Sequence, residues 1–145
     1  MVHILYKGAG PAMTDFLGGQ VHLMFDNLPT ALPHVKAGKL RALAVSTANR
    51  TPLTSELQTM AEAGLAGFDL ATWFAFFAPA GTLREVVQKI SSDMRRALTD
   101  PDTRQRLASA GVDIRASTPE ELAQFHRAEL VKWAKIVKDS GAKVD

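Results

Sequence analysis

The sequence has no cysteine, a single tyrosine, only 7% aromatic residues and no block of charge of one sign. Without cysteine there is no disulfide, no thiolate metal site and no cysteine nucleophile, and the redox compartment stays open. Seventeen Lys and Arg are interleaved with fifteen Asp and Glu, for a net charge of +2. That leaves no basic stripe to follow a phosphate backbone, so no nucleic-acid partner is expected. No apolar run approaches the roughly 20 residues of a membrane-spanning helix. The four histidines, His3, His22, His34 and His126, show no i, i+4 or short-loop spacing, so no metal site is expected. Gly8-Ala9-Gly10 is followed by Pro11-Ala12-Met13. It therefore lacks both the third glycine of a dinucleotide fingerprint and the Gly-Lys-Ser/Thr ending of a P-loop. No Gly-x-Ser-x-Gly elbow occurs either. These absences predict no catalytic residue, no cofactor and no enzymatic activity. Residues 1–6 run directly into a polar glycine loop, so the sequence as it stands is expected to carry no export signal.

What is present suits a globular chain. Hydrophobic residues make up 46% and charged residues 22% of 145 positions, enough for one ordinary domain. Charge is unevenly spread: residues 1–81 hold ten charged side chains and residues 82–145 hold twenty-two. The first portion reads as buried strands and cleft loops, the second as amphipathic helices. Residues 3–6, 21–25 and 40–45 are short apolar runs bounded by Gly, Asn or Pro and read as strands. Residues 11–17 and 29–37 between them read as helices, with Pro at the start and Gly18 or Gly38 as a left-handed stop. A short helix is expected over 56–63, and a long strand or crossover over 68–78. Thr82 with Glu85, and Thr118 with Glu121, have capping-box spacing, and Asp100-Pro101 opens a further helix that stops at Gly111. Strands alternating with helices predict an α/β fold with a mostly parallel sheet.

The glycine loop of Lys7, Gly8, Ala9, Gly10, Pro11 and Ala12 joins a strand to a helix start. Free N–H groups there can hold an anion without any catalytic side chain. A tight turn with no ligand is the alternative. Asp26 and Asn27 end the second strand, at the carboxyl edge where ligands gather in parallel sheets. Asn27 also fits a simple helix cap. Trp73 and Phe74, with Phe76 and Phe77, form an aromatic run that reads either as core or as one apolar wall of a ligand site. His126 with Glu129 reads as a solvated pair.

Several ordered segments carry a resemblance. They are Tyr6-Lys7-Gly8, Leu17-Gly18-Gly19-Gln20-Val21, Phe25-Asp26-Asn27-Leu28-Pro29, Lys36-Ala37-Gly38-Lys39-Leu40-Arg41-Ala42-Leu43-Ala44-Val45, Ala61-Glu62-Ala63-Gly64 and Phe77-Ala78-Pro79-Ala80-Gly81-Thr82. Together they resemble the C-terminal portion of the Bug-type periplasmic solute-binding proteins of tripartite tricarboxylate transporters. The resemblance implies a fragment of a type II periplasmic-binding-protein clamshell. Residues 1–81 would be part of the second, ligand-binding domain, with a crossover near 68–78, and residues 82–145 helices that return to the first domain. It further implies a small di- or tricarboxylate ligand held by main-chain N–H groups, a membrane permease as partner, and a periplasmic setting. Without an export signal the chain would remain cytoplasmic. The ligand contacts it implies are Lys7, Gly8, Ala9, Gly10, Pro11, Ala12, Asp26, Asn27, Trp73 and Phe74. Two positions depart from the family pattern: Ala75 replaces a usual glycine at the expected hinge, and Leu83 replaces a frequent proline. The missing first half of the clamshell leaves an exposed sheet edge and uncovered apolar helices, so self-association as a homodimer or higher oligomer is expected. A non-binding, self-assembling fragment of the same fold is the alternative function.

Overall fold

Four helices end on a glycine in the left-handed region, and three of them close with a crossed pair of hydrogen bonds. In the computed structural model of the chain, which describes residues 2–141, α1 (Ala9–Leu17) closes with Gly19 at φ 73°. The N–H of Gln20 then reaches Asp15 O at 2.9 Å, and that of Gly19 reaches Phe16 O at 3.1 Å. Helix α2 (Leu28–Lys36) repeats the pattern with Gly38 at φ 68°, and α4 (Pro101–Ser109) with Gly111 at φ 80°. Only glycine takes this conformation without a Cβ penalty, and each crossed pair of bonds satisfies carbonyls left over at the helix end. At the first of these ends the expected stop is displaced by one residue. Gly18 stays right-handed at φ −79°, and Gly19 makes the turn.

The helix starts are less uniform. Helix α5 (Pro119–Ser140) opens on a complete capping box: Glu121 N–H donates to Thr118 Oγ1 at 3.2 Å, and Thr118 N–H to the Glu121 carboxylate at 2.7 Å. Asp100 Oδ1 accepts from Thr103 N–H at 2.9 Å at the head of α4. The capping box expected at Thr82 does not form. Helix α3 (Arg84–Thr99) starts one residue later on Leu83, because the Thr82 hydroxyl donates to Pro79 O at 2.8 Å within its own turn. The helix expected over 56–63 is also absent. A short 3-10 helix, Pro52–Thr54, precedes it, and the following turn is fastened by side chains. Thr59 N–H donates to Glu62 Oε2 at 2.7 Å, Glu62 N–H to Thr59 Oγ1 at 3.0 Å, and Arg50 pairs with the same carboxylate at 3.0 Å. Local side-chain bonds of this kind compete with helical ones.

The expected parallel sheet reduces, among the described residues, to one parallel bridge between Val45 and Thr59. Val45 N–H donates to Gln58 O, Met60 N–H to Val45 O, and Leu70 N–H to Ser46 O. Residues 3–6 and 21–25 are non-helical and form no ladder. A strand is stabilised by a partner backbone, and these two find none among the described residues. The segment 68–78 is likewise irregular beyond Leu70 rather than a long strand.

Two compact units emerge. One comprises Met1–Ala75 with Gln105–Asp113, the other Phe76–Arg104 with Ile114–Asp145. In the first, Leu32 of α2 is the one apolar side chain among the described residues to be buried. In the second, α3 packs on α5, and Arg95 donates to Ala116 O at 3.1 Å. No helix of the described residues is long and apolar enough to cross a membrane.

Candidate functional site

The glycine loop sits at the head of α1. Gly8 is the N-cap residue, with φ 115° and ψ 170°, and no side chain caps the helix. A residue with a Cβ does not adopt that backbone easily, so glycine is required for the loop to turn into the helix. The N–H groups of Gly8, Ala9 and Gly10 have no acceptor within the helix, and Pro11 has no N–H at all. Three donors and the positive end of the helix dipole therefore converge beside the exposed Lys7. A Cβ built on Gly8 or Gly10 meets nothing within 4 Å, so the space in front of the loop is open.

A brace missed in the sequence reading ties this loop down. Tyr6 Oη donates to Asp15 Oδ2 at 2.8 Å, linking the residue before the loop to the second turn of α1. The hydrogen bond to Asp15, aided by partial desolvation and by the negative charge, raises the Tyr6 pKa above its ordinary value. The signal was the sole tyrosine of the chain, nine residues before an acid on the other side of the glycines.

Asp26 and Asn27 stand at the head of α2 in the same unit. Asp26 Oδ2 accepts from the Thr30 hydroxyl at 2.5 Å, and that hydroxyl also lies 2.8 Å from Asn27 O. Asn27 is the N-cap residue by backbone, with φ −73° and ψ 140°, yet its exposed side chain makes no cap hydrogen bond. Its main-chain oxygen accepts instead from Thr30 and Ala31 N–H groups, both at 3.1 Å. The amide is thus left to other uses, and Thr30, not singled out from the sequence, fastens the turn.

Trp73 is half-buried and Phe74 is 82% exposed. The aromatic run is not a core cluster, because Phe76 and Phe77 are also 76% and 65% exposed; Trp73 and Phe74 belong to the first unit, Phe76 and Phe77 to the second. There Phe77 meets His126 edge-on, with ring centroids 5.6 Å apart. Glu129, expected to be solvated, is 6% exposed and accepts from Trp133 Nε1 at 3.0 Å and Lys132 Nζ at 2.5 Å. Burial of a carboxylate requires such partners. All ten expected ligand residues thus fall in the first unit, eight of them at two helix heads and two in an extended segment. Among the described residues, no three His, Cys, Asp or Glu side chains are grouped to hold a metal ion.

Comparison with known proteins agrees with this architecture. The pattern of the tripartite tricarboxylate transporter family receptors matches residues 1–142. Rpa4515 of R. palustris, solved with adipate, is 38% identical with a TM-score of 0.84, covering 94% of this chain and 46% of its own. The periplasmic binding protein BugD is 34% identical with a TM-score of 0.82, covering 97% and 48%. MatC from Rhodopseudomonas palustris, with bound malate, is 34% identical with a TM-score of 0.76, covering 92% and 47%. Curated relatives at 35% to 37% identity, among them BugT of Bordetella pertussis, are matched over 94% to 97% of this chain. The chain spans only 40% to 43% of their length.

Proposed function

The chain belongs to the tripartite tricarboxylate transporter receptor family, and from that premise we propose that it binds small di- or tricarboxylates through main-chain N–H groups. The observation that carries this reading is the uncapped head of α1, where three N–H groups beside Lys7 face open space. A carboxylate there accepts from Gly8, Ala9 and Gly10 and is drawn by the helix dipole. Asn27 offers its amide, Asp26 orders the second helix head through Thr30, and Trp73 and Phe74 supply apolar contact to the carbon chain of the ligand. Adipate and malate in two structural relatives support the ligand class. Nothing in this scheme calls for catalysis, a cofactor or a metal. As a receptor the protein would deliver its ligand to a membrane permease from the periplasm, the setting named for BugD.

Residues 1–81 present one side of a two-sided clamp. Tested without the half of the family fold that these 145 residues do not span, one side supplies fewer donors and leaves the ligand wetter, so its affinities fall toward the millimolar range. Titration calorimetry against adipate, malate and citrate tests the proposal, with amide shifts at Gly8, Ala9 and Gly10 locating the site. No heat and no shift at about 10 mM acid would sink it.

A second reading, a self-assembling module that binds nothing, is favoured by the exposure of Leu5, Phe25, Phe76 and Val131. Under that reading the chain forms a homodimer or larger oligomer at micromolar concentration. Its loop amides stay unmoved by every acid.

A further inference from the structure

Two threonines are the buried polar residues of the first unit, Thr54 and Thr59, each 2% exposed. Their hydroxyls are in opposite situations. Thr59 Oγ1 accepts from Glu62 N–H at 3.0 Å, while Thr59 N–H donates to Glu62 Oε2 at 2.7 Å. Thr54 Oγ1 is shut off from solvent and has no hydrogen-bond partner among the described residues. A hydroxyl enclosed in this way has given up its bonds to water and gained none in return, so the closed position of Thr54 is opposed by its own side chain.

The segment around Thr54 can move without carrying its ends along. Leu53 N–H donates to Thr51 Oγ1 at 3.3 Å, Thr54 N–H to Thr51 O at 3.1 Å and Leu57 N–H to Thr54 O at 3.0 Å. These three bonds begin and end within residues 51–57. One bond reaches in from outside, from Arg50 Nη1 to Ser55 O at 3.2 Å, and both of those residues are exposed, so water replaces it at little cost. The ends are fastened separately. Arg50 pairs with the Glu62 carboxylate at 3.0 Å, Val45 N–H donates to Gln58 O and Met60 N–H to Val45 O, both at 2.9 Å.

We infer that residues 51–57 form a flap that opens as one piece about fastened ends, with the Thr54 hydroxyl as the built-in bias toward opening. Opening hydrates that hydroxyl. It gives up the burial of the Thr54 methyl and of the half-buried Leu53 and Leu57, and it leaves the Arg50–Glu62–Thr59 clasp and the Val45 bridge shut. Such a segment belongs to the low-stability end of a structure, where few buried contacts and exposed backbone bonds let a piece open ahead of the whole. The flap stands on the packing of the first unit and is independent of ligand binding.

The test is amide hydrogen exchange on the whole chain, comparing Leu57 inside the flap with Met60 at its base. In the wild type Leu57 should exchange at least about tenfold faster than Met60, and low urea should change its rate less, because a local opening exposes little surface. Thr54→Val keeps the shape of the side chain and removes the hydroxyl, so exchange at Leu57 should slow roughly tenfold. Thr54→Ser keeps the hydroxyl and should give no slowing. Thr59→Val removes the acceptor for Glu62 N–H and should lower the melting temperature, the opposite sense from Thr54→Val. One common rate for Leu57 and Met60 in the wild type overturns the inference, since no separate flap would exist. So does a Thr54→Val protein that melts below wild type or exchanges at Leu57 as fast as wild type, since the hydroxyl would then be satisfied in the closed position. Failure to bind any acid leaves these rates untouched and faults the proposed function alone.

Discussion

The hydroxyl of Tyr6 donates to Asp15 across the glycine loop at 2.8 Å, so the open turn of residues 7–12 is held at both ends by one side-chain bond. Tyr6→Phe removes that bond and leaves the ring. The expected outcome is a fall in melting temperature of about 2–4 °C and weaker acid binding by roughly threefold to tenfold, measured by calorimetry. Folding favours the neutral phenol, since the bond to Asp15 raises the Tyr6 pKa. Its contribution is therefore complete below the ordinary tyrosine value near 10 and fades as pH rises through the raised one. Wild type and variant should differ at pH 8 and converge in strong alkali. A constant difference across that range would refute the linkage.

Gly8 and Gly10 separate backbone strain from ligand access. Gly8→Ala puts a side chain on a residue at φ 115° and should cost about 1–3 kcal/mol, although its Cβ would meet no atom. Gly10 has ordinary helical geometry and open space around it. Gly10→Ala is expected to stabilise α1 by about 0.5–1 kcal/mol. It keeps its N–H but places a methyl in front of the loop. If the loop holds a carboxylate, Gly10→Ala raises the melting point and lowers affinity together. Unchanged affinity in a stabilised Gly10→Ala protein would move the ligand elsewhere.

The helix pattern was readable because its determinants are local. Pro at a first turn, glycine one or two residues past a last turn, and Thr118 with Glu121 act within five residues of sequence. Thr82 misled because its hydroxyl had a competing acceptor in Pro79 O, which no spacing rule records. Residues 56–63 misled for the same reason, as Thr59 and Glu62 bond each other in a turn. The segments 3–6 and 21–25 have the composition of strands, but a strand is a property of two segments, and among the described residues no second one pairs with them. The two helix heads themselves were legible, one from Gly8 and one from Asp26-Asn27. Tyr6–Asp15 was not, because that pairing depends on how the segment before α1 folds back on the helix, and nor was Thr30, whose hydroxyl bonds locally to Asn27 and Asp26.

Thr118 and Thr82 make a matched contrast at helix starts. Thr118→Ala removes the acceptor for Glu121 N–H and should cost about 0.5–2 kcal/mol. Thr82→Ala loses one bond inside an exposed turn and should cost less. Glu121 adds a pH signature: the hydrogen bond from Thr118 N–H lowers its pKa below the ordinary carboxylate value. Its stabilisation is present above that ordinary value and is lost as pH falls through the lowered one. Urea denaturation at pH 7 and pH 3 should show Glu121→Gln destabilised relative to wild type by more at the first pH than at the second. Equal gaps at both pH values would argue that the carboxylate charge is immaterial.

Gly111 is more than the end of α4. At φ 80° it is left-handed like Gly38 at 68°, but a Cβ on Gly111 would stand 3.0 Å from both N and Cα of Pro29 and 3.1 Å from C of Leu28. Those are main-chain atoms in the first turn of α2, so the contact cannot be relieved by turning a side chain. Gly38→Ala, with nothing within 4 Å, is expected to cost only the strain of the left-handed backbone, about 1–2 kcal/mol. Gly111→Ala adds overpacking against α2 and should cost about 2–4 kcal/mol in total. Because Asn27 caps that same turn, the displacement should also reach the second helix head of the site. The expected signature is a shifted Asn27 amide resonance and acid affinity reduced beyond that of Gly38→Ala at matched fraction folded. Equal denaturation midpoints for the two variants would mean that α2 yields freely to α4, and the packing account of the second helix head would fail.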